Sequence, residues 1–198
     1  RVSLLSILIP AIKILNNMDL IENPKKDFEA MINAIDKKKA KISYKSTIEN
    51  NTAMKLAKKL EGTMPSIYSS YSLSPAGYRF KASLNENSKV RAIHVTLPEL
   101  CHNEISCWTK NKDSLIPILI RDKDEPNHIK LRFTFIKNML KSNNIQFIEL
   151  LVRGEDKLSR IITGIYILDY VSFYLAILNN INPTTTSNID NLKKFLKK

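Results

Sequence analysis

The chain has 198 residues, 43% hydrophobic and 25% charged, enough for one globular core that buries about 70% of the unfolded surface. Its only glycines are Gly62, Gly77, Gly154 and Gly164, too dispersed to build a P-loop or a dinucleotide fingerprint. The net charge of +12 comes from scattered lysines such as Lys37-Lys38-Lys39, Lys55 to Lys59, Lys193-Lys194 and Lys197-Lys198. They read as a solvated basic surface, not a nucleic-acid site, and a small anionic substrate would also benefit from the field.

Residues 2–17 predict a helix bent or broken at Pro10, whose ring removes a backbone donor. Phe28, Met31, Ile32 and Ile35 form a helical stripe after Pro24, and Thr52 is placed to cap a helix that runs to Leu60 and stops at Gly62. Pro65 to Ser70 predicts a short strand. Ser72 to Asn87 predicts a helix with Pro75 in its first turn. Ala92 to Leu97 follows as a strand and Pro98 to Trp108 as a short helix. Next come a strand over Ser114 to Ile120, a helix over Asn127 to Lys141 and a strand over Gln146 to Val152. A long helix over Asp156 to Asn179 and a terminal one over Asn188 to Lys197 complete the chain. Strands separated by helices imply βαβ units, hence an α/β fold with a parallel sheet covered on both faces.

Two features bear on compartment. Cys101 and Cys107 have no disulfide or metal spacing and read as free thiols of a reducing cytoplasm. Ile161 to Leu178 is long enough to span a bilayer, but Asp169 stands at its centre among Thr163, Ser172 and tyrosines. A central carboxylate favours a helix buried in protein or at a subunit interface, so no membrane is expected. The N-terminal apolar run lacks the basic start and cleavage site of a signal peptide.

The most informative stretch runs from Gly62 to Trp108. It contains Met64-Pro65-Ser66-Ile67-Tyr68, Pro75-Ala76-Gly77-Tyr78-Arg79-Phe80-Lys81, Asn85-Glu86-Asn87-Ser88-Lys89 and Leu97-Pro98-Glu99-Leu100-Cys101-His102-Asn103-Glu104. Glu86 and His102 pair a carboxylate with an imidazole, the groups that move protons on and off carbon and oxygen near neutral pH. Taken singly, Glu86 reads as a solvated helix-end carboxylate and His102 as a helix-terminal hydrogen bonder. His94 reads as strand core and His128 as surface, while Glu99 and Glu104 orient or cap. Arg79, two turns before Glu86 on one helix face, either holds that carboxylate or makes a simple ion pair.

Together these motifs resemble the C-terminal half of the bifunctional phosphoglucose/phosphomannose isomerases, a branch of the sugar isomerase (SIS) fold. Ile167 to Ala176, Asn182-Pro183-Thr184 and Ile189-Asp190-Asn191-Leu192-Lys193 extend the resemblance, with Asn182 where the family has Asp. It implies a three-layer α/β/α sandwich over residues 1–198 with a helical connector at about 1–40, the first SIS half lying outside this chain. It also implies an aldose–ketose isomerase working through an enediol with no metal or nucleotide cofactor, in a cytoplasmic homodimer with a shared active site.

By the same resemblance Glu86 is the base at the carbon alpha to the carbonyl, and His102 assists ring opening from the neighbouring subunit. Lys193 hydrogen-bonds the ring oxygen or the opened hydroxyl. Arg1, in Arg1-Val2-Ser3-Leu4-Leu5, stabilises the enediolate. Thr186, two turns before Lys193, goes with acceptance of mannose as well as glucose configuration. Two other readings are a SIS module that binds sugar phosphate without catalysis and a nucleic-acid-binding domain resting on charge alone. Retention of Glu86, His102 and Lys193 favours the enzyme over the first, and salt-dependent binding to DNA or RNA would identify the second.

Overall fold

The computed structural model describes residues 3–108 and 114–197. Its centre is a four-stranded parallel sheet in the order β2-β1-β3-β4. The strands are β1 (Met64–Ser70), β2 (Ile93–Leu97), β3 (Leu115–Asp122) and β4 (Ile148–Val152). The register is set across the sheet by pairs such as Tyr68 with Val95 and Leu119, and Ile118 with Ile148. β1 is buried along almost its whole length, as expected of a central strand.

The helices are α1 (Leu4–Asn17), α2 (Pro24–Ile42), α3 (Thr52–Leu60), α4 (Ser74–Ser83), α5 (Asn127–Ser142), α6 (Lys157–Leu178) and α7 (Ser187–Phe195). Strand alternation sorts the core into two layers. Ile67, Ile118, Ile120 and Ile148 face one way, where they pack with residues of α3, α4 and α6. Tyr68, Leu97 and Leu119 face the other way, against Phe133, Ile136 and Leu140 of α5. A smaller cluster seats Leu4, Leu5 and Leu8 of α1 on Met31, Ala76, Ile162 and Ile165. The apolar α6 has a mean hydropathy of 1.9 over its most hydrophobic window, yet 61% of that window is buried inside the fold.

Several expectations need correction in detail. α1 runs through Pro10 without a break. The cap of α3 is Asn51, whose side chain accepts from the Met54 N–H at 2.9 Å, so Thr52 is already helical. Pro98 to Trp108 is not one helix but two 3₁₀ turns, Glu99–Cys101 and Glu104–Cys107. The segment expected as one helix from Ser72 starts with a 3₁₀ turn at Tyr71–Leu73, continues as α4 and widens into a π turn at Leu84–Ser88. The π turn ends at Lys89, whose φ is 57°.

His94 lies on β2, where its Nε2 is 2.9 Å from Ser69 Oγ, and His128 is exposed at the start of α5. Burial, with a smaller contribution from the Lys81 charge, pushes the His94 pKa below its ordinary value. The ring lies directly beneath Gly77 of α4: a Cβ built there would stand 2.4 Å from His94 Nε2. Glycine therefore allows α4 to settle onto the sheet at this point. Gly77→Ala forces the imidazole off its Ser69 partner or lifts the helix, and overpacking of this kind costs about 1–3 kcal/mol. Denaturant unfolding of the two proteins is expected to show a loss of this size.

Candidate functional site

The crossover from β1 to β2 determines where the motif residues lie. α4 leaves the C-terminal end of β1 and returns to the opposite edge of the sheet, so the π turn bearing Glu86 precedes β2 at its N-terminal edge. β2 then crosses the sheet, and His102 follows it at the C-terminal edge. The five residues of β2 measure about 16 Å at the usual rise per residue. Within one protomer Glu86 and His102 therefore lie at opposite ends of the sheet.

Glu86 is held in place through its neighbours. Asn87 Nδ2 donates to Ser172 Oγ at 2.8 Å, and Ser88 Oγ donates to the Ser172 carbonyl at 2.7 Å. Ser172 Oγ in turn donates to the Asp169 carbonyl at 2.8 Å. One turn up α4, Ser83 Oγ donates to Asp169 Oδ1 at 2.7 Å. Arg79 donates through Nε and Nη2 to Asp169 Oδ2 at 3.0 and 2.8 Å. Both Asp169 oxygens are thus engaged by α4, and Arg79 forms an ion pair with Asp169.

Glu86 itself is exposed. It lines a cleft of about 970 Å³ together with Leu4, Arg79, Asp169, Tyr170 and Thr184, at the upper end of the range for small-molecule sites. The wall of this cleft is mainly apolar, with Arg79, Asp169 and Glu86 as its acidic and basic side chains. Glu86 also lines an adjoining hollow of about 190 Å³ with Lys89, Thr185 and Thr186.

Lys89 joins the two segments. Its Nζ donates to the Glu86 carbonyl at 2.6 Å and to the Thr185 carbonyl at 2.9 Å, tying the π turn to the loop before α7. Asn182 shapes that loop: its Oδ1 accepts from the Thr184 N–H at 2.9 Å and the Thr184 hydroxyl at 2.7 Å. An aspartate would accept the same two bonds, so the departure at Asn182-Pro183 leaves the turn intact. Thr186 precedes α7 and donates from Oγ1 to Asp190 Oδ2 at 2.8 Å.

The other motif residues are dispersed. Lys193 is exposed on α7, outside the lining of both hollows. His102 is exposed between the two 3₁₀ turns. Arg1 lies outside the described residues. Among the described residues, no three His, Cys, Asp or Glu side chains cluster as a metal site requires. Cys101 is half-buried and Cys107 exposed, neither of them in a disulfide, and burial raises the Cys101 pKa.

Sequence reasoning left Lys89 and Asp169 out of the site. Lys89 stands inside the Asn85–Lys89 motif, which was a usable signal. Asp169 was visible as a carboxylate at the centre of an apolar helix, but its partner lies 90 residues away.

A family model described as the bacterial phosphoglucose isomerase C-terminal SIS domain matches residues 49–196. A bifunctional phosphoglucose/phosphomannose isomerase of Aquifex aeolicus is 29% identical over 163 residues, covering 80% of this chain and 51% of that protein. One from Caldicellulosiruptor bescii is 28% identical over 193 residues, covering 95% of this chain and 57% of that protein. The chain thus spans about half the length of the curated relatives it matches. In fold it is similar to a glucose-6-phosphate isomerase-like protein of Thermus thermophilus, with a TM-score of 0.70 at 18% identity over 87% of this chain and 58% of that one. The α/β sandwich with its parallel sheet is the SIS architecture, and the chain belongs to the family of bacterial phosphoglucose isomerase C-terminal SIS domains.

Proposed function

We propose that this chain is the C-terminal half of a cytoplasmic, homodimeric isomerase that interconverts glucose 6-phosphate or mannose 6-phosphate with fructose 6-phosphate. The observation that carries the reading is Glu86 held on a stapled π turn, exposed to a cleft shared with Arg79 and Thr184. A base must be rigidly placed yet reachable, and this one is both. In the reaction Glu86 takes the proton from C2 of the opened aldose and returns it to C1, through an enediol common to both epimers. Lys193 holds the ring oxygen or the opened hydroxyl, and Arg1 neutralises the enediolate. The chain's net charge of +12 draws in a phosphorylated sugar.

The separation of Glu86 from His102 across β2 supports a site completed by a partner subunit. A proton path for ring opening cannot cross the sheet within one copy. His102 at the C-terminal edge is placed to serve a neighbouring cleft.

Glu86→Gln keeps the shape and removes the basicity. In a polypeptide that joins this chain to a first SIS half, it is expected to lower kcat by about 10²–10⁴ while sugar-phosphate binding stays near normal. Steady-state kinetics with a parallel binding titration checks this, and near-normal turnover would refute the assignment. His102→Ala is expected to slow turnover of the ring-closed sugar more than exchange on the open-chain form. Mixing the His102 and Glu86 variants should restore part of the activity through hybrid dimers with one intact site. No recovery on mixing would put both residues in the same protomer's site.

Thr186 faces the hollow beside Glu86, where a small hydroxyl leaves room for rotation about C2–C3 of the enediol. Thr186→Gln is expected to depress the mannose reaction more than the glucose reaction. The ratio of the two kcat/KM values reports this directly, because effects common to both substrates cancel. An unchanged ratio would place epimer control elsewhere.

A further inference from the structure

His102 is exposed in a segment that several of its neighbours tie down. Leu97 and Leu100 are buried in the α5-side core. On either side of the histidine, Asn103 Nδ2 donates to Glu99 Oε1 at 3.1 Å, and Asn103 Oδ1 accepts from the Glu104 N–H at 2.6 Å. The 3₁₀ turns themselves have poor hydrogen-bond geometry and hold a loop weakly. The downstream hold comes from elsewhere, namely β1.

Tyr68 stands on that central strand, fully buried, with its backbone paired on both sides. Its hydroxyl donates to Glu104 Oε2 at 2.9 Å and accepts from Trp108 Nε1 at 2.7 Å. The Trp108 ring, only 2% exposed, meets Tyr68 edge-to-face at 6.3 Å between centroids. Burial, followed by the Glu104 charge, raises the phenol pKa far above its ordinary value, so the hydroxyl keeps the proton it donates. One hydroxyl on the buried central strand thereby grips the loop at 104 and again at 108.

We propose that Tyr68, Glu104 and Trp108 form a clamp that positions His102, with Tyr68 as the positioning residue. The clamp is a local contact, while its purpose rests on the ring-opening reading of His102. It makes the histidine's placement depend on the sheet instead of on the loop's own turns.

The test uses Tyr68→Phe, Glu104→Ala and Glu104→Gln, followed by hydrogen–deuterium exchange of the peptide spanning 97–108. Loss of the clamp is expected to speed exchange there by about tenfold in Tyr68→Phe and Glu104→Ala, with α6 peptides unchanged. Glu104→Gln, whose amide oxygen still accepts from the phenol, is expected to recover protection. Trp108 is the single tryptophan, so its emission should move to longer wavelength as the indole loses its partner and meets water. If Tyr68→Phe does not fold, Glu104→Ala reads the same contact from the half-buried end. Unchanged exchange over 97–108 in either folded variant overturns the clamp.

In the isomerase assay the loosened variants are expected to lose about tenfold in kcat on the ring-closed sugar with little change in KM, and Glu104→Gln to rescue it. Faster exchange with unaltered kcat overturns the positioning role. Should His102→Ala itself leave ring-closed turnover untouched, the ring-opening reading of His102 is what fails, and the exchange result still judges the clamp.

Discussion

Asp169 organises this domain. A carboxylate at the middle of a long apolar helix is costly to hold half-buried unless its oxygens are engaged. Here they are, with Arg79 on one oxygen and Ser83 on the other. The requirement to satisfy that charge fixes the rotation and register of α4 against α6. Once the register is set, Ser172 comes under Asn87 and Ser88, and the π turn is held with Glu86 facing the cleft. An apolar residue at 169 would leave the Arg79 guanidinium and the Ser83 hydroxyl without this carboxylate partner.

The same helix therefore does two jobs that a hydropathy profile cannot separate. Its apolar residues Ile167, Leu168, Val171 and Leu175 build the core against the sheet. Its polar residues Asp169 and Ser172 position the π turn, and Tyr170 walls the cleft. A helix able to cross a bilayer by length and mean hydropathy is here the central beam of one face of an α/β sandwich.

The parallel topology creates a second constraint. A β–α–β crossover between parallel strands must return the chain to the end of the sheet where the strands begin, so residues just before β2 and just after it are separated by the length of that strand. The sixteen-residue interval between Glu86 and His102 straddles one strand. That spacing puts the two residues at opposite ends of one strand. Tyr68 holds the segment after β2 from the central strand, while Asp169 and Ser172 of α6 hold α4 and the π turn before it.

Much of this was legible in the residues themselves. Alternation in Ile67-Tyr68 and Ile118-Leu119, the helical stripe of α5 and the length of α6 prescribe an α/β sandwich, because side-chain periodicity follows directly from strand and helix geometry. The local motifs likewise single out Glu86 and His102 as a carboxylate and an imidazole, groups suited to proton transfer near neutral pH. What they could not convey is nonlocal. Asn51 and Thr52 are both competent caps, and the choice of Asn51 is accompanied by its amide's bonds to the Ser43 carbonyl and the Tyr174 hydroxyl. The break of Pro98–Trp108 into two turns follows from Tyr68 pulling Glu104 and Trp108 toward the sheet. The ion pair of Arg79 with Asp169 joins residues 90 positions apart, which no local pattern announces. The sequence by itself determined the periodic elements and the chemistry available. Tertiary structure decided which polar groups meet, because those meetings join residues dozens of positions apart and are set by burial, not by local propensity.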